Sequence, residues 1–168
     1  KIQSPPESYF SNNKNVTTPK GPLKQKLLTC SALEMAQMLR NGEVKSVETC
    51  QLAFERIFEI NPKFNAVPAI RYEEAMKEAR IADEIVEEWR KSKNKLNNKV
   101  NEVDMEIKAS TLLPFLGVPL LNKDSYESKG LPYTYGITSR NKKNEPIIGK
   151  SDCLVIQRLK KKGGFIIL

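Results

Sequence analysis

The sequence predicts an α/β chain, with helices leading in and further helices covering a sheet. Three observations carry that expectation. Apolar residues recur at helical spacing through the first half of the chain. The longest strand-like apolar run, residues 112–121, ends on Asn122, Lys123 and Asp124. A helical pattern, a Gly163-Gly164 turn and the apolar residues 165–168 then follow. Strand, long loop, helix, glycine turn and strand is the outline of a βαβ-type crossover.

In chain order, residues 1–26 hold Pro5-Pro6, Pro19 and Pro22 among Ser, Asn and Lys. They read as an extended, poorly ordered lead-in to residues 27–168, which are one domain or part of a larger one. Ser31-Ala32-Leu33-Glu34 fits a capping box. The helix it opens runs through Met35, Ala36 and Leu39 and stops at Asn41-Gly42. Ser46 reads as a second N-cap, followed by an apolar stripe of Val47, Cys50, Phe54, Ile57 and Phe58. Asn61-Pro62 is expected to end that helix. Residues 65–70 are short and apolar and read as a strand, which Pro68 would confine to an edge or a bulge.

Ala75, Ala79, Ala82, Val86 and Trp89 then mark one face of a helix over residues 72–90. Glu73, Glu74, Lys77 and Glu78 are placed toward water. Residues 91–111 turn Lys- and Asn-rich and lose the apolar period, as in a solvated surface insertion. Residues 112–121 form the central strand. Ser151-Asp152 opens the last helix, with Leu154, Val155, Arg158 and Leu159 along it. A chain ending in an uncapped apolar strand, and beginning at Lys1, reads as a piece of a longer protein.

The net charge is +8, and residues 129–168 alone carry +7. Lys160-Lys161-Lys162 suits the negative end of a helix dipole. Aromatics are sparse in the basic segments, so they offer no stacking platform and nucleic acid is not expected as a partner. Histidine is absent and the cysteines Cys30, Cys50 and Cys153 are scattered. That excludes a disulfide framework and a zinc site, and no metal or cofactor is expected. No apolar stretch is long enough to span a bilayer. Asn15-Val16-Thr17 matches a glycosylation sequon.

Lys123 is the candidate for chemistry. A lysine at the carboxyl end of a strand stands where α/β folds gather their sites. Half-buried, its ammonium would be desolvated and could serve as a base toward a hydroxyl nucleophile. Asp124 reads as a turn cap or a cation's partner. Thr134 and Gly136 are weaker candidates for a substrate-binding wall. Ser125, Ser128 and Ser139 all lack flanking glycines and are poor nucleophile candidates.

Four pieces of the sequence resemble the amidase signature family, and within it the fatty-acid amide hydrolase branch. They are the helix over residues 28–39, Asn61-Pro62-Lys63-Phe64-Asn65-Ala66-Val67, the core Leu116-Gly117-Val118-Pro119 with Lys123-Asp124, Lys129-Gly130-Leu131-Pro132 and Thr134, and residues 154–168. The resemblance implies the N-terminal portion of that fold, a mixed central sheet flanked by helices, incomplete in this chain. It implies that Lys123 is the catalytic lysine of a Ser-Ser-Lys set, which activates a bridging serine and through it the nucleophile. It also implies a small-molecule amide as substrate, fatty or otherwise hydrophobic. The parent protein would be intracellular or membrane-associated, with a membrane surface as a further partner.

The Gly/Ser-rich signature that bears both serines is not found in the sequence. The chain by itself is therefore expected to be inactive and the parent to be an amidohydrolase acting on linear amides. Asn122, where the family has an apolar residue, and Pro68 depart from the pattern. Two other functions are carried: an aminoacyl-tRNA amidotransferase component of the same family, and an inactive basic binding module.

Overall fold

The computed structural model describes residues 17–96, 112–137 and 146–168. The sequon, Ser139, most of the lead-in and the greater part of the insertion lie outside the described residues. The end of the lead-in differs from expectation. Helix α1 spans Gly21–Thr29, with Pro22 in its first turn, where a missing N–H leaves no bond unmade. Leu27 is buried and Leu23, one turn earlier, packs on the same cluster.

Helix α2, Ala32–Asn41, has the expected ends. The Ser31 hydroxyl accepts the Glu34 N–H at 3.2 Å, and the Glu34 carboxylate accepts the Ser31 N–H at 2.7 Å. Gly42 closes the helix at φ 73°.

Helix α3, Ser46–Phe64, starts differently. Ser46 is its first residue and not its cap. The Ser46 hydroxyl is buried and donates to the Gly117 carbonyl at 2.6 Å. The orphan N–H groups of Ser46 and Val47 donate instead to Asp83, at 2.6 and 3.2 Å. Asp83 belongs to helix α4, Tyr72–Leu96, so one helix caps the other. Burial pushes the Asp83 carboxyl up from its ordinary range, while its two backbone donors pull the other way.

Nor does Asn61-Pro62 end α3. The helix carries Pro62 in its last turn and closes on Asn65, at φ 49°, whose N–H donates to the Asn61 carbonyl at 2.7 Å. The expected strand over residues 65–70 does not form. The Asn61 carboxamide takes the place of a neighbouring strand: it donates to the Val67 carbonyl at 2.8 Å and accepts the Val67 N–H at 2.9 Å.

The apolar stripes meet as their spacing requires. Cys50, Phe54 and Ile57 of α3 are buried against Tyr72, Ala75, Met76, Ala79 and Ala82 of α4. Burial raises the Cys50 thiol far above its ordinary range. The α4 helix runs beyond residue 90 to Leu96, taking in the start of the expected insertion. Glu78 is half-buried, not water-facing. It pairs with Arg71 at 3.2 Å and Lys160 at 3.6 Å, and Lys160 also reaches Asp152 at 3.2 Å.

The sheet is a parallel pair, shorter than expected. Strand β1 is Pro119–Leu120 and strand β2 is Ile166–Ile167, in register Pro119↔Ile166. Residues 114–117 form a turn that takes the first part of the expected strand, with Gly117 at φ 86°. Ile166 and Leu168 donate to the carbonyls of Val118 and Leu120, at 2.9 and 3.1 Å. Pro119, which has no N–H, is asked for none. Alternation along β2 sends Ile166 and Leu168 into the α3–α4 core and Ile167 onto Ile156 and Leu131. The sheet is thus covered on both faces, as a parallel sheet must be.

Ile156 belongs to helix α5, Leu154–Arg158, which continues as a π-helical turn over Leu159–Gly163. The helix starts later than the expected Ser151-Asp152, because Asp152 is engaged elsewhere: it accepts the Lys129 N–H at 2.9 Å and the Lys160 ammonium. Lys160, Lys161 and Lys162 stand in the last turn, where cations oppose the helix dipole. Gly164 ends the turn at φ 84°.

At Gly164 two backbone segments touch. A Cβ there would lie 2.7 Å from the Leu116 Cα, and the residue is in the left-handed region. Gly164→Ala is expected to destabilise the chain by at least about 2 kcal/mol, from strain plus forced separation of the two segments. Urea unfolding followed by circular dichroism measures it.

Candidate active site

The site is built where β1 stops. Past Leu120 the chain leaves the sheet and turns at Lys123, whose carbonyl accepts the Tyr126 N–H at 2.9 Å. Asn122 organises this turn. Its side-chain amide donates to the carbonyls of Lys123 and Tyr126, both at 3.3 Å, and to the Ser128 hydroxyl at 3.1 Å. An apolar residue at 122 could do none of this, so the departure from the family pattern is a local structural solution. Ser128 is buried.

The loop then folds back on residues 147–151. Glu127 accepts the N–H groups of Lys150 and Ser151, at 2.9 and 3.3 Å. Gly130 and Gly149 join the two segments by further backbone bonds.

Lys123 borders a cleft of ≈560 Å³. Thr134 and Gly136 line the same cleft, so the structure brings the three candidate site residues together. The link between them is Asp124. One carboxylate oxygen accepts the Thr134 hydroxyl at 3.0 Å and the Gly136 N–H at 2.9 Å, and the other pairs with the Lys123 ammonium. The Lys123 pairing, followed by the Thr134 and Gly136 donors, holds the Asp124 carboxyl below the usual aspartate range, against some desolvation. Tyr135 and Gly136 both have positive φ, at 54° and 72°, which aims the Gly136 N–H at the carboxylate.

The reading of a half-buried lysine needs correction. The Lys123 side chain is 74% exposed, against 20% for Asp124. A flexible ammonium at the end of a strand keeps its water unless something covers it, and the described residues leave it uncovered.

The stretch 65–69, with Leu131 and Leu168, forms a further wall of the cleft. Sequence reasoning took 65–70 for a strand and missed this wall. The signal lay in Asn61-Pro62, whose asparagine is the clamp on Val67. Pro68 sits in the wall, outside any ladder, where its missing N–H is harmless. Lys123 and Asp124 supply the charged side chains of the described lining; most of the rest is apolar.

A lysine just past a parallel strand, beside an apolar-walled cleft, stands where α/β folds gather their sites, and known proteins place the chain further. No protein-family model matches the chain. It is 33% identical over 142 residues to fatty-acid amide hydrolase 2 of Homo sapiens, covering 84% of this chain and 24% of the relative. It is 30% identical over 149 residues to indoleacetamide hydrolase of Bradyrhizobium diazoefficiens, covering 89% and 23%. A glutamyl-tRNA(Gln) amidotransferase component of Azoarcus sp. is 30% identical over 137 residues, covering 82% and 23%. A solved structure from a vestigial protein complex, described as revealing the evolutionary origins of an s-triazine catabolic enzyme, superposes with TM-score 0.57. It is 20% identical and covers 83% of this chain and 25% of its own, and so speaks for the fold alone. Along most of its length the chain is similar to proteins of the amidase signature family. It spans about a quarter of the length of the curated relatives it matches.

Asn61→Ala removes both bonds to Val67. The expected cost is about 1–3 kcal/mol, with faster exchange of the Val67 amide than of amides within α3, read by hydrogen exchange. A second expectation concerns pH. Because the Asp124 carboxyl is held low, its contacts are complete above the ordinary aspartate value of about 3.9 and are lost only as pH falls below it. The Gly136 amide resonance should follow that transition, with its midpoint below the ordinary value.

Proposed function

We propose that this chain is the lysine-bearing part of a serine amide hydrolase of Ser-Ser-Lys type, acting on fatty or other hydrophobic amides. The observation that carries the reading is Lys123, three residues past the end of β1, lining a cleft whose walls are mainly apolar. The amide group of a substrate would sit at the Lys123 rim and its apolar part along Val67, Pro68 and Leu131. Lys123, as the neutral amine, would take the proton of a bridging serine. That serine would in turn take the proton of the nucleophilic serine as it attacks the amide carbonyl, and the protons would return to the leaving amine. A substrate filling the cleft would exclude water from the lysine, which favours the neutral amine.

No Gly/Ser-rich stretch that could bear the two serines occurs in the sequence. Among the described residues, Ser128 is buried and hydrogen-bonded to Asn122, and it does not line the cleft. Chemistry therefore calls for serines from elsewhere. The amidotransferase relative gives a second reading, for which the +7 of residues 129–168 would suit an anionic partner. The apolar cleft wall favours the hydrolase.

The 168-residue chain alone is expected to hydrolyse no fatty amide above background. In a protein of the relatives' length that includes this chain, Lys123→Ala should lower turnover at least about 10²-fold. The circular dichroism spectrum should stay unchanged, since an exposed lysine leaves no buried partner behind. Unchanged turnover in that variant would remove Lys123 from the mechanism.

A further inference from the structure

We propose that Asp124 is a positioning residue, whose single carboxylate ties the Lys123 amine to the left-handed turn at Tyr135-Gly136 and so fixes where the amine waits over the cleft. The inference rests on Lys123 being the working group of the site, and its test does not depend on turnover.

The geometry separates two halves. The carboxylate itself is anchored: the Thr134 hydroxyl and the Gly136 N–H both donate to one oxygen, at 3.0 and 2.9 Å. Thr134 is itself held in place, because its hydroxyl accepts the Gly136 N–H at 3.2 Å. The other carboxylate oxygen is left for Lys123. A flexible lysine, largely in water, thereby gains as partner a neighbouring carboxylate that is anchored across the loop, to Thr134 ten residues along the chain. No other charged side chain among the described residues lines the cleft, so none competes for the amine there. Thr134 and Gly136 then serve the site through Asp124, as the supports of its carboxylate.

The test uses the 168-residue chain and trinitrobenzenesulfonate, which modifies neutral amines, with the rate at each lysine read by peptide mass spectrometry. Asp124→Asn keeps acceptors for Thr134 and Gly136 and removes the charge. The rate at Lys123 should rise about 1.5- to 5-fold as the amine loses its partner, the range set by an exposed ion pair. The Gly136 amide should keep its protection from exchange. Asp124→Glu, which restores the charge, should return the Lys123 rate toward that of the wild type. An unchanged Lys123 rate in Asp124→Asn overturns the proposal. So does a rise shared equally by Lys129 and Lys160 that Asp124→Glu does not reverse. A Lys123 that is released in this assay, yet dispensable for turnover in the longer protein, would sink the proposed function and leave the positioning intact.

Discussion

The structure depends on a parallel pairing only two residues long, Pro119–Leu120 against Ile166–Ile167. Parallel strands cannot be joined by a tight turn, so everything between them must be carried out of the sheet and back. Both faces must also be covered. Ile166 and Leu168 take one side into the helical core, and Ile167 takes the other onto Ile156. The approach that allows the pairing is a contact of backbones, Gly164 against Leu116, that leaves no room for a side chain. The long excursion between the strands is where the candidate site lies.

Carboxylates set the shape of that excursion and of the helices under it. Asp83 takes the first N–H groups of α3, Asp124 that of Gly136, Glu127 those of Lys150 and Ser151, and Asp152 that of Lys129. In a chain of net charge +8, the acidic groups are used to terminate backbone. Two of them also hold a lysine, Asp124 with Lys123 and Asp152 with Lys160. The second pair reaches Glu78 and Arg71, so the loop, the last helix and α4 share one ionic chain. Charge-assisted bonds to backbone donors outrank surface ion pairs in strength, which is why the loop geometry follows the carboxylates.

Similarity to the amidase signature family and the placing of Lys123 beside an apolar-walled cleft are separate observations. The family comes from relatives matched along most of this chain. The cleft comes from the coordinates. What joins them is that residues 65–69, clamped by Asn61, and the stretch containing Lys123-Asp124, far apart in sequence, line one space.

Local chemistry was legible wherever both partners of an interaction lie within a turn of each other. The Ser31–Glu34 capping box, the alanine stripe of α4, the glycine stops at Gly42 and Gly164 and the burial of β2 all follow from residue type and spacing. Lys123 too could be picked out, because it ends an apolar run. The misreadings share one cause, a partner distant in sequence or a side chain standing in for backbone. Ser46 looks like a cap until Asp83 arrives from another helix, and residues 65–70 look like a strand until Asn61 supplies the pairing. The exposure of Lys123 and the anchoring of Asp124 by Thr134 and Gly136 were decided the same way. Sequence determines which groups need a partner; which partner they meet is set by the packing, since side-chain and backbone acceptors compete on equal terms once the chain has folded back on itself.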